Sequence, residues 1–385
     1  MAKFEEVFSL IRNGASIKQF DMAKGLPITR IETISDREVN REKFGYADIF
    51  EVGKYCDYVL QDQDILMSHI NSEKHLGKAA IYRKREDEII IHGMNLLVLR
   101  AKKEILNPEY ALLFFNTSRF LDQIKTITKK SVNQASFSIS ALKELEIELP
   151  LISTQQQIVI EIGKIDKIIA CRKQQLEKLD ELVKARFIEL FGAPEINPNG
   201  YPVRSMADIA TYWNGLTYKP EDVSEEGTIV LRSSNIQNMQ LDFADTVRVS
   251  CKIGEKKYVQ ENDILMCSRN GSAKLVGKVA LIKGLAEPMS FGAFMMIIRS
   301  DYYPYLMTYF QMAAFRSQIV TGATTTINQI TGSMMDKVFV PVPDRRTMDE
   351  FADVVSQVDK SKAEIQKSLE QLETLKKALM QKYFG

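Results

Sequence analysis

The stretch from Ser153 to Gly192, STQQQIVIEIGKIDKIIACRKQQLEKLDELVKARFIELFG, decides the reading of the whole chain. Ser153 or Thr154 stands where an N-cap belongs, with Gln156 or Gln157 three residues on, the pattern of a capping box. Apolar residues then recur at Ile158, Ile162, Ile165, Ile169, Leu176, Leu179, Val183 and Leu190. Steps of four and three with skipped positions make a 3.5-residue repeat, the seam of a coiled coil. Gly192 and Pro194 end it. At about 1.5 Å per residue the helix should run roughly 57 Å, long enough to reach between globular bodies.

The same ladder closes the chain. Phe351, Val355, Val358, Ile365, Leu369, Leu372, Leu379 and Tyr383 repeat it, and a shift of 193 residues places Leu190-Phe191-Gly192 on Tyr383-Phe384-Gly385. The breaks differ: Arg172 matches Ile365, Arg186 matches Leu379, Lys362 matches Ile169 and Lys376 matches Val183. An antiparallel pair of such helices would oppose residues whose numbers sum to about 541. Lys376 would then lie near Ile165 and Arg172 near Leu369, with long basic stems along the seam and charges in water.

Duplication extends to the flanks. Residues 1–152 read as one mixed domain. Strands are expected over Ile28–Ile34, Tyr58–Leu60, Ile65–Met67, Ala79–Arg83, Ile89–Ile91, Leu96–Arg100 and Leu145–Leu149, with a helix opened by Asn107-Pro108. Residues 195–343 repeat the plan. Asn214-Gly215 answers Asn13-Gly14, and GTIVLRSSNI from Gly227 answers GLPITRIETI from Gly25, placing Arg232 over Arg30. DILMCSRNGSAKLVGK from Asp263 answers DILMSHINSEKHLGK from Asp64, and INQITGSMMDKVFVPVP from Ile327 answers VNQASFSISALKELEIELP from Val132. The order is domain 1–152, helix 153–194, domain 195–343, helix 344–385.

Composition sets wide bounds. The 385 residues are 45% hydrophobic and 26% charged, enough for two ordinary cores, and the net charge of +1 gives no global basic field. A local basic patch would suffice for nucleic acid. Cys56, Cys171, Cys251 and Cys267 lack CxxC spacing and only three histidines are present, so no metal site is expected and the thiols suit a reducing cytoplasm. No long apolar run indicates a membrane span, and a cytoplasmic protein is expected. Asn107-Pro108-Glu109-Tyr110 resembles the Asn-Pro-Pro-Tyr motif of amino-methyltransferases, but Glu109 departs from it and no glycine-rich cofactor loop accompanies it. With no Walker lysine loop, no nuclease motif and no nucleophile beside a base, no catalytic residue is assigned.

The paired helices with Gln-rich starts and Phe-Gly ends, the two DILM-to-Gly-Lys loops and the Asn-Gln segments before each closing strand together resemble the specificity subunit of Type I restriction–modification systems. The resemblance covers nearly the whole chain and lies in the duplicated order of its motifs. It implies an α+β fold: two mixed α/β target-recognition domains joined by two long antiparallel coiled-coil helices, a pseudo-twofold internal repeat. Each domain would read one half of a bipartite, gapped double-stranded DNA target. The helices would set the spacing and dock two modification subunits carrying S-adenosylmethionine, while restriction subunits would use ATP and Mg. This chain would hold no cofactor. A stand-alone DNA-binding adaptor of another defence system and a coiled-coil scaffold are the alternatives.

On that reading the polar loops are the DNA-binding candidates. In the first half these are Ser68, His69, Asn71, Lys74 and His75, with Lys129, Lys130, Ser131, Asn133 and Gln134. In the second they are Ser268, Arg269, Asn270, Ser272 and Lys274, with Thr324, Thr325, Thr326, Asn328 and Gln329. Arginine can read guanine edges and asparagine adenine edges, while lysines there would touch phosphate. Arg30 and Arg232 could contact DNA, and their matched placement equally permits structural salt bridges.

Overall fold

The computed structural model describes residues 1–21, 24–34, 37–130, 134–319 and 328–385. The chain forms two compact units, Met1–Arg172 with Lys367–Gly385, and Lys173–Gln366. Two 40-residue helices, Ile152–Phe191 and Arg345–Phe384, each contribute to both.

In the first unit the main sheet has the order Phe8–Asn13, Leu96–Ala101, Ile65–Ser68, Ala79–Ile81, all antiparallel. Its central strands read as unbroken apolar runs because both faces are buried. Side chains alternate across a strand, so Ile65, Met67, Leu97 and Leu99 enter a phenylalanine-rich core with the helices, while Leu66, Leu96 and Val98 enter a second core with Tyr82. The second unit repeats this with Thr211–Asn214, Met295–Arg299, Ile264–Cys267 and Val279–Leu281. Ile264, Met266 and Ile298 face one core there, and Leu265, Cys267 and Ile297 the other.

The Asp that opens each DILM strand is 1% exposed and is held by the arginine of the neighbouring strand. Asp64 accepts two hydrogen bonds from Arg100, each 2.7 Å, and Asp263 accepts two from Arg299, 2.6 and 2.7 Å. The Asn-Gly pairs mark close approaches: a Cβ on Gly14 would lie 2.1 Å from the Gly93 carbonyl oxygen, and one on Gly215 2.0 Å from that of Phe291.

The Phe-Gly ends of the long helices plug the cores. Phe384 is buried in the first unit, its ring 5.0 Å from Tyr110 and 6.3 Å from Phe114. Phe191 is buried in the second, 5.0 Å from Tyr305 and 5.3 Å from Phe351. Along the expected seams, Ile158, Ile162, Ile165, Phe351, Val358 and Leu369 are buried, and Ile169, Leu176, Leu179, Val183, Leu190, Val355, Ile365, Leu372, Leu379 and Tyr383 are half-buried. Phe187, which the ladder omits, is fully buried. In the first unit Lys376 pairs with Asp166 and the Tyr383 hydroxyl donates to Glu161 at 2.6 Å. In the second, Lys362 pairs with Asp180 and Arg186 with Glu350 at 2.6 Å.

Several local expectations need correcting. The first long helix begins at Ile152, so Ser153 and Thr154 lie inside it and no capping box forms there. Gln155, fully buried, does the work instead: its amide donates to the carbonyls of Ile105 and Pro150 and accepts from the Asn107 N–H, each at 2.8 Å. Ile28–Ile34 is a short strand Leu26–Ile28 followed by a 3-10 turn Ile31–Ile34, with Thr33 Oγ1 accepting from Arg30 N. Around Tyr58–Leu60 and Ile89–Ile91 isolated bridges form in place of strands, Val59–Ile91 antiparallel and Ile28–Ile91 parallel, preceded by a 3-10 helix Gly53–Tyr58. A helix Ser118–Ile127, capped by Thr117, was not expected. It completes the first core with Phe120 and Ile124.

Candidate nucleic-acid interface

In each unit the DILM strand runs out of the sheet into the polar loop, and that loop is met by the segment containing or following the Asn-Gln pair. In the second unit Arg269–Asn270 and Asn328–Gln329 form a two-stranded antiparallel ribbon, with Arg269 opposite Gln329 and Asn270 opposite Asn328. In the first unit Ile70–Asn71 pairs with Ala135–Ser136, which pairs in turn with Lys129–Lys130. Two polar clusters far apart in sequence thus share one surface.

The ribbons correct the alignment of the repeat. Ile330 N donates to Ser268 O at 2.7 Å, and Phe137 N to His69 O at 3.2 Å. Thr331 and Ser138 then cap the short helices Gly332–Met335 and Ile139–Lys143. Asn328-Gln329 therefore corresponds to Ala135-Ser136 rather than to Asn133-Gln134. The two-residue difference in length lies between the Asn-Gln pair and the helix.

The turn that closes each loop is a glycine at positive φ, +73° at Gly77 and +80° at Gly277. Each donates back across the loop, Gly77 N to Ser68 O at 2.9 Å and Gly277 N to Cys267 O at 2.8 Å. A side chain there would meet Phe120 and Ile124 in the first unit and Arg316 in the second.

The candidates divide by exposure. Lys74, Lys129, Lys130, Gln134, Arg269, Ser272, Lys274 and Gln329 are exposed, and Asn71, His75, Asn270 and Asn328 are half-buried. Lys130 forms a 2.9 Å ion pair with Glu73 across the ribbon. Ser68, His69 and Ser268 are buried beneath the loops, at 2%, 6% and 1% exposure, and brace them from below. Ser268 Oγ donates to Phe294 O at 3.0 Å, and His69 packs edge-on against Phe137. Burial pushes the His69 imidazole down to about 4, and that of His75 below its usual value, with Lys78 and Lys74 adding to the shift. Ser131, Asn133, Thr324, Thr325 and Thr326 lie outside the described residues.

Arg30 and Arg232 both make salt bridges. Arg30 donates to Asp21 at 2.6 Å, to Gln19 at 2.9 Å and to Phe20 O at 3.0 Å, and so pins the strand Gln19–Phe20. Arg232 pairs with Asp245 at 2.8 Å, but its buried Nε has no hydrogen-bond partner among the described residues. It lines a groove of about 1390 Å³ together with Asn214, Arg269, Asn270, Phe294 and Gln329. The ribbon residues Arg269, Asn270 and Gln329 form part of its lining. Asn214 and Phe294 were not among the expected site residues. An exposed aromatic directly after Gly292-Ala293, between two sheet strands, is the signal that could have marked Phe294.

Among the described residues no group of three or more His, Cys, Asp or Glu could hold a metal ion, and no helix is long and apolar enough to cross a membrane.

The family model described as Type I restriction modification DNA specificity domain matches residues 1–181 and 198–374. The chain is 36% identical over 211 residues to a protein of Methanocaldococcus jannaschii described as the putative type I restriction enzyme MjaX specificity subunit, covering 55% of this chain and 49% of that one. It is 26% identical over 196 residues to the type I restriction enzyme EcoKI specificity subunit of Escherichia coli K12, covering 48% and 42%. The chain spans about half the length of the curated relatives it matches. In fold it is similar to the crystal structure of the Type-I restriction-modification system S subunit from M. genitalium, with a TM-score of 0.59 at 14% identity over 100% of this chain and 95% of that one.

Proposed function

The chain belongs to the Type I restriction modification DNA specificity family, and from that premise we propose that it is the sequence-reading subunit of a Type I restriction–modification complex. It performs no chemistry itself. Each unit reads one half of a bipartite, gapped DNA target through its polar ribbon. The observation that carries this reading is the convergence of the DILM loop with a distant polar strand in both units. A two-stranded ribbon is narrow enough to enter a major groove, where donors such as Arg269 and acceptors such as Gln329 can meet base edges.

The long helices act as an antiparallel coiled-coil spacer in a pseudo-twofold arrangement and dock two modification subunits. Support comes from the ion pairs Asp166–Lys376 and Asp180–Lys362, whose residue numbers both add to 542, as an antiparallel register requires. S-adenosylmethionine chemistry belongs to the modification subunits, and ATP and Mg to the restriction subunits.

Titration of the complex on cognate and unrelated duplexes at several salt concentrations tests the interface. Lys129→Ala and Lys130→Ala should weaken binding to every duplex alike and lower the salt slope by about 1 each. An unchanged salt slope in both variants would place DNA elsewhere on the first unit.

A further inference from the structure

Resting on the reading of the second unit as a DNA reader, we propose that Phe294 is a specificity-determining residue, a rigid aromatic platform that orients Arg269 for a two-pronged contact with a guanine edge. Phe294 is 59% exposed, which for a lone ring would mean little. Its backbone, however, is pinned from several sides. The Phe294 carbonyl accepts from Ser268 N at 2.9 Å, Arg269 N at 3.1 Å and Ser268 Oγ at 3.0 Å. The preceding Ala293 carbonyl accepts from the Asn214 amide at 3.2 Å, and Met295 N closes the turn on Gly292 O at 2.8 Å. The ring is thus fixed at its root and presented to solvent, so little order remains to be imposed on binding.

The Arg269 guanidinium lies 5.2 Å from the centre of that ring, within cation–π range. Arg232, Arg248 and Arg299 of the same unit each engage a carboxylate, whereas among the described residues none pairs with Arg269. Its donors stay open while its orientation is set from behind. Planar, pre-oriented guanidinium is what bidentate recognition of guanine O6 and N7 requires. The repeat supplies a second argument. The sheet pairs Ser68 with Leu96 and Cys267 with Met295, which places Arg269 on Ile70 and Phe294 on Asn95. Both members of the pair change together between the units while the neighbouring asparagine, Asn71 or Asn270, stays.

The test uses the full chain in its native complex, a duplex carrying the motif mapped from host methylation, and duplexes with one base pair of that motif changed. Arg269→Ala should lose about tenfold or more of the discrimination at a single G·C pair. Phe294→Leu, which keeps an apolar side chain but removes the ring, should lose about fivefold at the same pair, Phe294→Tyr should keep it, and Phe294→Leu should add nothing to Arg269→Ala. Full discrimination by Phe294→Leu while Arg269→Ala relaxes one position would overturn the platform and leave DNA reading by this unit intact. Uniform weakening of Arg269→Ala on all duplexes would make Arg269 a phosphate contact and also overturn the proposal. If every variant binds every duplex like the parent, the reading of this groove as a DNA face fails as well. Recognition of the other half-site is the folding control: a Phe294→Leu chain that loses both halves together counts against the proposal, and Phe294→Tyr must then restore both for the ring to matter at all.

Discussion

Asp64 and Arg100 meet side by side across neighbouring strands, two 2.7 Å hydrogen bonds joining the oxygens of a carboxylate that is 1% exposed to the Nε and Nη2 of the guanidinium. Asp64 also accepts from Gln61 N at 2.7 Å, so the entry of the strand that leads to the polar loop is locked on three sides. Asp263, Arg299 and Gln260 N repeat the arrangement in the second unit. A carboxylate buried in this way is tolerated only while its partner stays. Arg100→Ala should therefore cost the first unit about 3 kcal/mol or more, and Arg299→Ala a similar amount in the second. Urea unfolding followed by hydrogen exchange resolved to each unit checks both, and a loss spread evenly over the two units would count against the local account.

Phe384→Ala should open a cavity beside Tyr110 and Phe114 and cost the first unit about 3–5 kcal/mol. Phe191→Ala should do the same beside Tyr305 in the second. Each is a single residue at a helix end, where truncation is ordinarily mild. Thermal melting of the two variants, with exchange mapping of which unit loses protection, separates a plug from a frayed terminus.

Much of this architecture is legible in the residues themselves. The 193-residue duplication, the heptad ladders and the paired loops are periodic signals, and periodicity survives without knowledge of contacts. Pairings across the fold are not legible in that way. Asp64 stands out as the start of a DILM run, yet nothing near it points to Arg100. The cap assignments at Ser153 and Thr154 failed because Gln155 makes tertiary bonds that allow the helix to start earlier. The Asn-Gln pairs looked equivalent because letters match, whereas the hydrogen bonds at Phe137 and Ile330 set a register two residues away. His69 and Ser268 looked like readers because polar residues in loops usually face water, and both are buried beneath the loop.

Acid should weaken the first unit selectively. All three histidines, His69, His75 and His92, lie within it. Burial pushes His92 down to about 3, with Arg12 and His69 adding in the same direction, and His69 down to about 4. Among the described residues neither His69 Nδ1 nor His92 Nε2 has a hydrogen-bond partner. Because these pKa values fall on folding, the unfolded chain binds more protons, and stability declines as pH drops from about 6.5 towards 4. The loss is on the order of a few kcal/mol. Hydrogen exchange at pH 7 and pH 5 should show faster opening in the first unit, and His69→Gln with His92→Gln should remove that difference.

If the long helices set the distance between readers, their length must matter. Inserting seven residues after Lys178 and seven after Gln371 keeps the heptad phase in both helices and lengthens each by about 10.5 Å, near three base pairs of DNA rise. The altered chain should recognise the same half-sites across a longer gap, with some of the change absorbed by DNA bending at a cost of about a few kcal/mol. Methylation assays on duplexes whose gap varies by one pair at a time measure it. A folded, active insertion variant that still prefers the parental gap would rule out the ruler.

If each unit reads its own half of the target, exchanging one reader changes that half alone. Residues 1–150 are replaced by the corresponding segment of a family member with a different motif, leaving residues 151–385 untouched. Methylome sequencing of a host carrying the hybrid should show one half of the bipartite motif changed to the donor's and the other half, with its gap, retained. A motif changed in both halves, or in neither, would contradict the account.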